Sequence, residues 1–201
     1  FNVPVPGGTT AHAVGGALLA ILIGPYAASL ALSVALILQA FLFGDGGILA
    51  LGANIFNMAV AMPFIGYGIY SWFRKHHHES LGVIVGSYVA INAAALLTGI
   101  ELGLQPLIAS EAGQPLYNPY GLEVTIPAMM AAHLVVAGWV EAFFTYVIYR
   151  FVKQVAPAEL YTPSSKNTTS FVKKIRWVLL GLIVLSPLGL LADGTAFGEW
   201  S

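Results

Sequence analysis

The stretch Leu81–Leu104 reads LGVIVGSYVAINAAALLTGIELGL. A run of roughly 20 apolar residues is long enough to cross the hydrocarbon core of a bilayer as a helix. Four further runs qualify or nearly do: Tyr26–Phe43, Asn54–Phe73, Ile126–Tyr149 and Ile175–Ala192. A shorter run, Ala11–Ile23, ends at Gly24-Pro25 and predicts a short or tilted helix, because proline disfavours helical structure in the residue before it. The pattern therefore predicts an all-α, polytopic transmembrane helix bundle of about six helical segments.

The amino-acid composition excludes several classes of protein and of chemical site. The 201 residues are 58% hydrophobic and 8% charged, with a net charge of -1. These values exclude a disordered chain, which needs low hydrophobicity and high net charge, and they give no basic excess for binding nucleic acid. The absence of cysteine excludes thiolate metal sites, iron–sulfur clusters and thiol nucleophiles. The glycine-rich segment 44–47 lacks the Gly-Lys-Ser/Thr of a nucleotide-binding loop, so any ATP hydrolysis would need another subunit.

The positions of lysine and arginine predict an orientation. Basic residues cluster at three places, 74–75, 150–153 and 166–176. By the positive-inside rule these ends are cytoplasmic. The connection Gln105–Thr125 carries acidic residues and no basic one, which suits the outer side. Alternating the helices from there also places Phe1–Thr10, Gly44–Ala53 and the C-terminal tail outside.

His12 is the first candidate metal ligand, because a neutral imidazole at the outer mouth of a helical bundle suits a transition metal. It follows a segment rich in proline, glycine and threonine, in which a threonine can cap the helix. The alternative is a histidine at the membrane interface that only donates a hydrogen bond to a loop carbonyl. Four other polar residues on the predicted outer side are candidates for lining or supporting such a site: Thr10, Asp45, Asn54 and Asn57. Capping a helix or fixing the glycine-rich loop is the alternative role for the asparagines.

His133 and Glu141 lie well inside the run Ile126–Tyr149. Their spacing of eight residues advances an α-helix by about 80°, so both side chains project toward the same half of it. A carboxylate near mid-membrane is costly and usually faces the bundle interior. Such a pair suits a proton relay or a cation stop, or else a structural hydrogen bond between helices, with Tyr88 and Asn92 as candidate partners.

Two other features have ordinary interpretations. His76–His78 is predicted to be a solvated turn, since three adjacent residues do not readily face one metal ion. Small residues recur at helical spacing, for example Ala13 with Ala17 and Gly82 with Gly86. Such pairs allow close helix contacts in lipid, either inside this bundle or against a partner subunit.

Three motifs carry a resemblance to a known family. The segment FNVPVPGGTTAH at 1–12, followed by GGA at 15–17, resembles the CbiM/NikM family of substrate-binding membrane subunits. FGDGGI at 43–48 with ALGANIFNM at 50–58 is similar to the next segment of that family. PLGLLA at 187–192 with GEW at 198–200 resembles a C-terminal extension that some members carry.

The resemblance implies a subunit of an energy-coupling-factor transporter that captures one Ni²⁺ or Co²⁺ ion on its outer side, with no organic cofactor and no enzyme activity of its own. Its partners would be a coupling membrane subunit, ATPase subunits and, in some systems, a small CbiN/NikN-type accessory subunit, in the inner membrane of a prokaryotic cell. The family site takes the terminal amine, a backbone nitrogen and the imidazole of an N-terminal Met-His, plus a second histidine, to which His12 corresponds. Four nitrogens in a square plane suit both metals.

The Met-His terminus is not in this chain, which begins at Phe1. We therefore expect the chain to be part of a longer protein, with an even number of membrane crossings ahead of Phe1. The expected organisation is a metal-binding membrane domain at 1–152, a cytoplasmic linker at 153–174 and an extension with one further membrane helix at 175–201. Two other functions are alternatives. One is a proton-coupled secondary cation carrier using His133 and Glu141; the other is an intramembrane hydrolase, for which the sequence offers no nucleophile or metal cluster.

Overall fold

The computed structural model describes residues 2–5, 9–44, 46–111 and 113–163, together with positions 177 and 180; residues 2–5 and 9–12 are described by their backbone. Within this part of the chain five continuous helices form the bundle, so the predicted count of about six is not matched. The run Ile175–Ala192 lies outside the described residues, apart from Trp177 and Leu180.

Helix α1 spans Gly16–Ile23, and helix α2 spans Pro25–Phe43, with Gly24 between them. Helix α3 comprises three consecutive stretches, Leu51–Asn54, a π-helical Ile55–Ala61 and Met62–Lys75. Helix α4 spans Glu79–Ile108, and helix α5 spans Leu122–Val155 with a π-helical turn at His133–Ala137. A short 3₁₀ turn, Pro157–Glu159, follows α5.

Among the described residues, α2, α4 and α5 are long and apolar enough to cross a membrane. Helix α3 contains the predicted run Asn54–Phe73 but is not one of these three. Asparagine, proline and glycine residues interrupt its apolar sequence. The predicted helical bundle is therefore confirmed, with fewer strongly apolar spans than the sequence runs suggested.

Helix α4 lies at the centre of the bundle and contacts α1, α3 and α5. Small residues make this possible. A Cβ added to Gly86 would lie 2.8 Å from the carbonyl oxygen of Gly66, and one added to Gly66 would lie 2.7 Å from the Cβ of Ala17. These backbones approach too closely for any side chain, so the small residues pack the bundle internally, the first of the two roles predicted for them.

Two small hairpins depart from a purely helical fold. Strands β1, Asn2–Val5, and β2, Thr9–His12, pair antiparallel, with Asn2 opposite His12. Strands β3, Ser110–Glu111, and β4, Gln114–Pro115, form a second hairpin after α4. The expected helix over Ala11–Ile23 therefore begins only at Gly16, because residues 9–12 are extended and paired with β1.

The two described basic clusters share one end of the bundle, as the positive-inside pattern predicts. Lys153, near the end of α5, forms an ion pair with Glu79, the first residue of α4. The Tyr149 hydroxyl donates a hydrogen bond of 2.8 Å to the same carboxylate. His76–His78 form the exposed turn between α3 and α4 at this end, as predicted. The basic residues at 166–176 lie outside the described residues.

The segment after α5 folds back onto α1. The Tyr161 N–H donates to the Ile21 carbonyl at 3.0 Å, and the Arg74 guanidinium donates to the Tyr161 carbonyl at 3.3 Å. Gly24 has φ +87°, and a Cβ there would lie 2.8 Å from the Tyr161 ring. We call this contact between Tyr161 and the α1–α2 junction the Tyr161 latch. It falls inside the predicted linker 153–174, of which residues 164–174 are outside the described part.

Candidate metal centre

His12 ends strand β2, three residues before the N-cap of α1. The β1–β2 hairpin packs on α5: both strands contact its first stretch, Leu122–Ala132, and β2 also contacts the π-helical turn His133–Ala137. Thr10 lies in the same strand. The backbone that carries both predicted residues is thus held against the outer half of α5 as the orientation above defines it. Asp45 lies outside the described residues.

Glu141 fixes the chain directly after His12. Its carboxylate is 1% exposed and accepts the Val14 N–H at 3.0 Å and the Gly15 N–H at 3.0 and 3.1 Å. Gly15 is the N-cap of α1, has φ +74° and receives no side-chain cap from a neighbouring residue. The first amides of a helix lack partners within the helix and carry partial positive charge, so a carboxylate there is stabilising. Glu141 therefore does what the sequence assigned to a capping threonine, and it does so from a distant helix.

His133 is 5% exposed and lies at the start of the π-helical turn. Its Nδ1 is 2.8 Å from the Met129 carbonyl oxygen. Its side chain makes no hydrogen bond to Glu141, whose carboxylate is occupied by the α1 amides. The wider turn between the two residues also alters the angle that an unbroken α-helix would give them. The two side chains are therefore not hydrogen-bonded to each other in the described residues, and their joint role stays a prediction.

Tyr88 and Asn92, the expected partners of that pair, bond elsewhere. The Tyr88 hydroxyl donates to the Leu134 carbonyl at 3.0 Å, and the Asn92 amide donates to the Tyr88 carbonyl at 2.7 Å. Tyr88 thus joins α4 to α5 through the backbone of the π-helical turn, and neither side chain forms the hydrogen bond to Glu141 for which both were candidates. A carbonyl released by the irregular turn is available as an acceptor, which sequence spacing does not reveal.

The two asparagines of α3 have separate roles. Asn54 donates to the Gly46 carbonyl at 3.1 Å and so fixes the glycine-rich loop, the alternative role predicted for it. Asn57 is 1% exposed and donates to the Thr98 hydroxyl at 3.1 Å and to the Glu101 carboxylate at 2.7 Å, both on α4. Because the π-helical stretch begins at Ile55, directly after Asn54, the regular helical spacing that placed both asparagines on one face does not hold.

Sequence reasoning missed Glu101. It lies inside an apolar run, and a carboxylate within a membrane helix is itself a signal of a polar contact. Its hydrogen-bond donor in the described residues is Asn57. In the described residues the Oδ1 of Asn57, and one turn beyond Glu101 on α4 the Oε1 of Gln105, are buried without a hydrogen-bond partner. The α3–α4 interface therefore holds a polar cluster that spacing alone did not identify.

Among the described side chains, no three histidine, aspartate or glutamate residues lie close enough to hold a metal ion together. Two contacts instead bring the candidate residues into one region. The strand that carries His12 packs on the His133 turn, and the Glu141 carboxylate bonds to the amides of Val14 and Gly15 just after His12. A metal ion bound there would draw on His12 and on nitrogen ligands from outside the described set, as the resemblance implies. The assignment of His12 as a ligand stays a prediction.

Comparison with known proteins shows the family. Residues 1–159 match the family model CbiM, described as the cobalt uptake substrate-specific transmembrane region. The chain is 64% identical over its whole length to the probable fused nickel transport protein LarMN of Lactiplantibacillus plantarum, and 44% identical to the fused nickel transport protein NikMN of Rhodobacter capsulatus. It spans 61% and 59% of the lengths of these two relatives, about three fifths in each case.

A solved structure is also similar. The crystal structure of a truncated transition metal transporter is 60% identical, with a TM-score of 0.74 over 77% of this chain and 73% of that one. The family match and the membrane-capable helices together make the chain a multi-pass membrane protein.

Proposed function

Because the chain belongs to the CbiM family, we propose that it is the substrate-specific membrane part of a nickel or cobalt importer, which captures one divalent ion on the outer side of the membrane. The cargo is the metal ion itself, and the chain acts as a transport component rather than as an enzyme. The relatives named for nickel transport and the family named for cobalt uptake both support this class of cargo.

The observation that carries the proposal is the set of hydrogen bonds from the Val14 and Gly15 amides to the Glu141 carboxylate. This buried carboxylate holds the chain two and three residues after His12. A ligand that is already fixed costs less conformational entropy when it binds its ion. The fold therefore supports a preorganised ligand at His12, which a merely structural histidine would not need.

The expected ligand set completes the chemistry. His12 supplies one imidazole nitrogen, and an N-terminal Met-His ahead of Phe1 supplies its terminal amine, a backbone nitrogen and a second imidazole. Neutral imidazole and amine nitrogens suit Ni²⁺ and Co²⁺, and a planar set of four disfavours ions that require octahedral oxygen ligands. Protons compete for these nitrogens, so affinity falls as the pH is lowered.

Uptake needs an energy source that this chain does not carry. We assign it to separate ATPase subunits acting through a coupling membrane subunit, with a CbiN/NikN-type accessory subunit as a further partner. The complex would lie in the inner membrane of a prokaryotic cell. We also propose that residues 153–174 form a cytoplasmic linker and that residues 175–201 form an extension with one further membrane helix.

Metal analysis tests the proposal. The full-length protein with its native N-terminus is purified in detergent, loaded with Ni²⁺ or Co²⁺ and analysed for metal content beside His12→Ala. His76→Ala is the matched control, because His76 lies in the exposed turn at the opposite end of the bundle. Stoichiometric metal in the wild type and in His76→Ala, with loss in His12→Ala, is expected. Full metal content in His12→Ala would contradict the assignment.

A further inference from the structure

The protonation of His133 is fixed by its surroundings. Its Nδ1 lies 2.8 Å from the Met129 carbonyl oxygen, and a carbonyl only accepts hydrogen bonds, so Nδ1 carries the proton. In a neutral imidazole the other nitrogen, Nε2, then has a free lone pair. Nε2 makes no hydrogen bond in the described residues. It is not among the fully buried atoms without a partner there, so it keeps some accessible surface, while the residue as a whole is 5% exposed.

The turn that carries His133 makes two contacts with other elements. Strand β2, which ends at His12, contacts His133–Ala137. The Tyr88 hydroxyl of α4 donates to the Leu134 carbonyl at 3.0 Å. Single π-helical turns inside α-helices recur at functional sites, because they displace one side chain from the regular helical face. A buried imidazole with a free lone pair thus lies on the element that supports the strand of His12.

An imidazole with Nδ1–H bonded to a carbonyl and Nε2 without a partner has the arrangement of a metal-binding histidine. Histidines that ligate metal ions donate their second ring N–H to a backbone carbonyl or a carboxylate, which fixes the tautomer and orients the ring. His133 already makes this bond to Met129. The four nitrogens that the resemblance implies complete a square plane without His133, so the lone pair of His133 is not required in the final complex.

We propose that His133 Nε2 is a transfer ligand, which binds the Ni²⁺ or Co²⁺ ion transiently while it enters or leaves the four-nitrogen site at His12. This inference rests on the proposed function. A transfer ligand lowers the barrier for association and for dissociation equally, and therefore leaves the dissociation constant unchanged. A residue that only supports the structure of the site changes the dissociation constant instead.

Stopped-flow kinetics on the full-length protein in detergent test this inference. Ni²⁺ association is followed by quenching of tryptophan fluorescence, for which Trp139 is placed one to two turns beyond His133. Dissociation is followed after addition of excess chelator. The variants are His133→Ala and His133→Gln; glutamine keeps an N–H donor for Met129 but lacks the imidazole. Thermal unfolding is recorded for both, and His76→Ala is the control.

We expect both His133 variants to bind and release Ni²⁺ about tenfold more slowly with an unchanged dissociation constant, because the same barrier is raised in both directions. Added imidazole should restore the rates of His133→Ala. Unchanged rates in a folded His133→Gln would overturn the inference, and so would faster dissociation alone. Metal retention in His12→Ala would instead contradict the proposed function, so the two failures are distinguishable.

Discussion

Replacing Glu141 with glutamine tests whether this residue holds the segment that carries His12. The carboxylate makes three contacts of 3.0–3.1 Å with the amides of Val14 and Gly15. Hydrogen bonds to a charged group contribute about 1.5–3 kcal/mol and neutral ones about 1 kcal/mol. Glutamine keeps one acceptor oxygen and turns an NH₂ group toward a backbone N–H. We therefore expect Glu141→Gln to weaken the hold on this segment by about 2–4 kcal/mol.

Two measurements follow from this magnitude. If the segment must adopt this conformation to bind metal, a loss of about 2 kcal/mol corresponds to about 30-fold weaker binding of Ni²⁺, measured by titration calorimetry on the full-length protein. Hydrogen exchange at Val14 and Gly15 should accelerate by a similar factor, because local opening exposes these amides. Exchange in the middle of α4 should stay as it is in the wild type.

Glu111→Gln is the matched control, since Glu111 is exposed in the hairpin after α4. It should leave affinity and exchange unchanged. The reasoning would be refuted if a folded Glu141→Gln protein kept wild-type exchange at Val14 and Gly15. Wild-type exchange would mean that the amides of α1 find other acceptors and that the carboxylate is not what orders the segment.

Two further substitutions test the packing of the bundle by thermal unfolding in detergent. Asn57→Ala removes the donor to Glu101 and should cost about 3 kcal/mol, and adding Glu101→Gln should recover part of it, because a neutral side chain needs the donor less. A double variant as unstable as Asn57→Ala alone would contradict this. Gly86→Ala should cost about 1–3 kcal/mol, since the new Cβ would lie 2.8 Å from the Gly66 carbonyl oxygen. Gly68→Ala, which meets nothing within 4 Å, should be neutral or stabilising, and equal effects at both glycines would refute the packing argument.

The helices were largely predictable from the sequence. Predicted runs such as Tyr26–Phe43 and Leu81–Leu104 lie within the observed helices Pro25–Phe43 and Glu79–Ile108. Hydropathy finds such spans because every backbone group in the hydrocarbon core must be satisfied within the helix. The ends extend beyond the apolar runs because polar residues such as Glu79 continue the helix into the interface.

The hairpin at the chain start was not predictable in the same way. The apolar character of Ala11–Ile23 continues across the point where the backbone changes from strand to helix. What sets this point is the pairing of residues 9–12 with 2–5 and the acceptor that Glu141 provides. Both are long-range or non-periodic features, and hydropathy does not record them.

The candidate site was also predictable only in part. The sequence indicated that Glu141 would face the interior, because an exposed carboxylate in lipid is costly. It did not indicate that Glu141 bonds to the amides of Val14 and Gly15, because every residue except proline has a backbone N–H and the residue type does not show which one is free. The π-helical turns at Ile55–Ala61 and His133–Ala137 had the same effect: each changes which residues share a face, so regular helical spacing does not hold for Asn54 with Asn57 or for His133 with Glu141.

The Tyr161 latch joins the segment after α5 directly to α1, the first helix of the described bundle. The Tyr161 N–H, six residues beyond the end of α5 at Val155, bonds to the carbonyl of Ile21 in α1, so two parts of the chain that are distant in sequence meet at this helix. A rigid displacement of α1 is therefore transmitted to residue 161 without passing through the intervening helices. Glu141 holds the start of this same helix at the opposite end. Helix α1 is thus held at its start by Glu141 and near its end by Tyr161, and it links the segment of His12 to the latch.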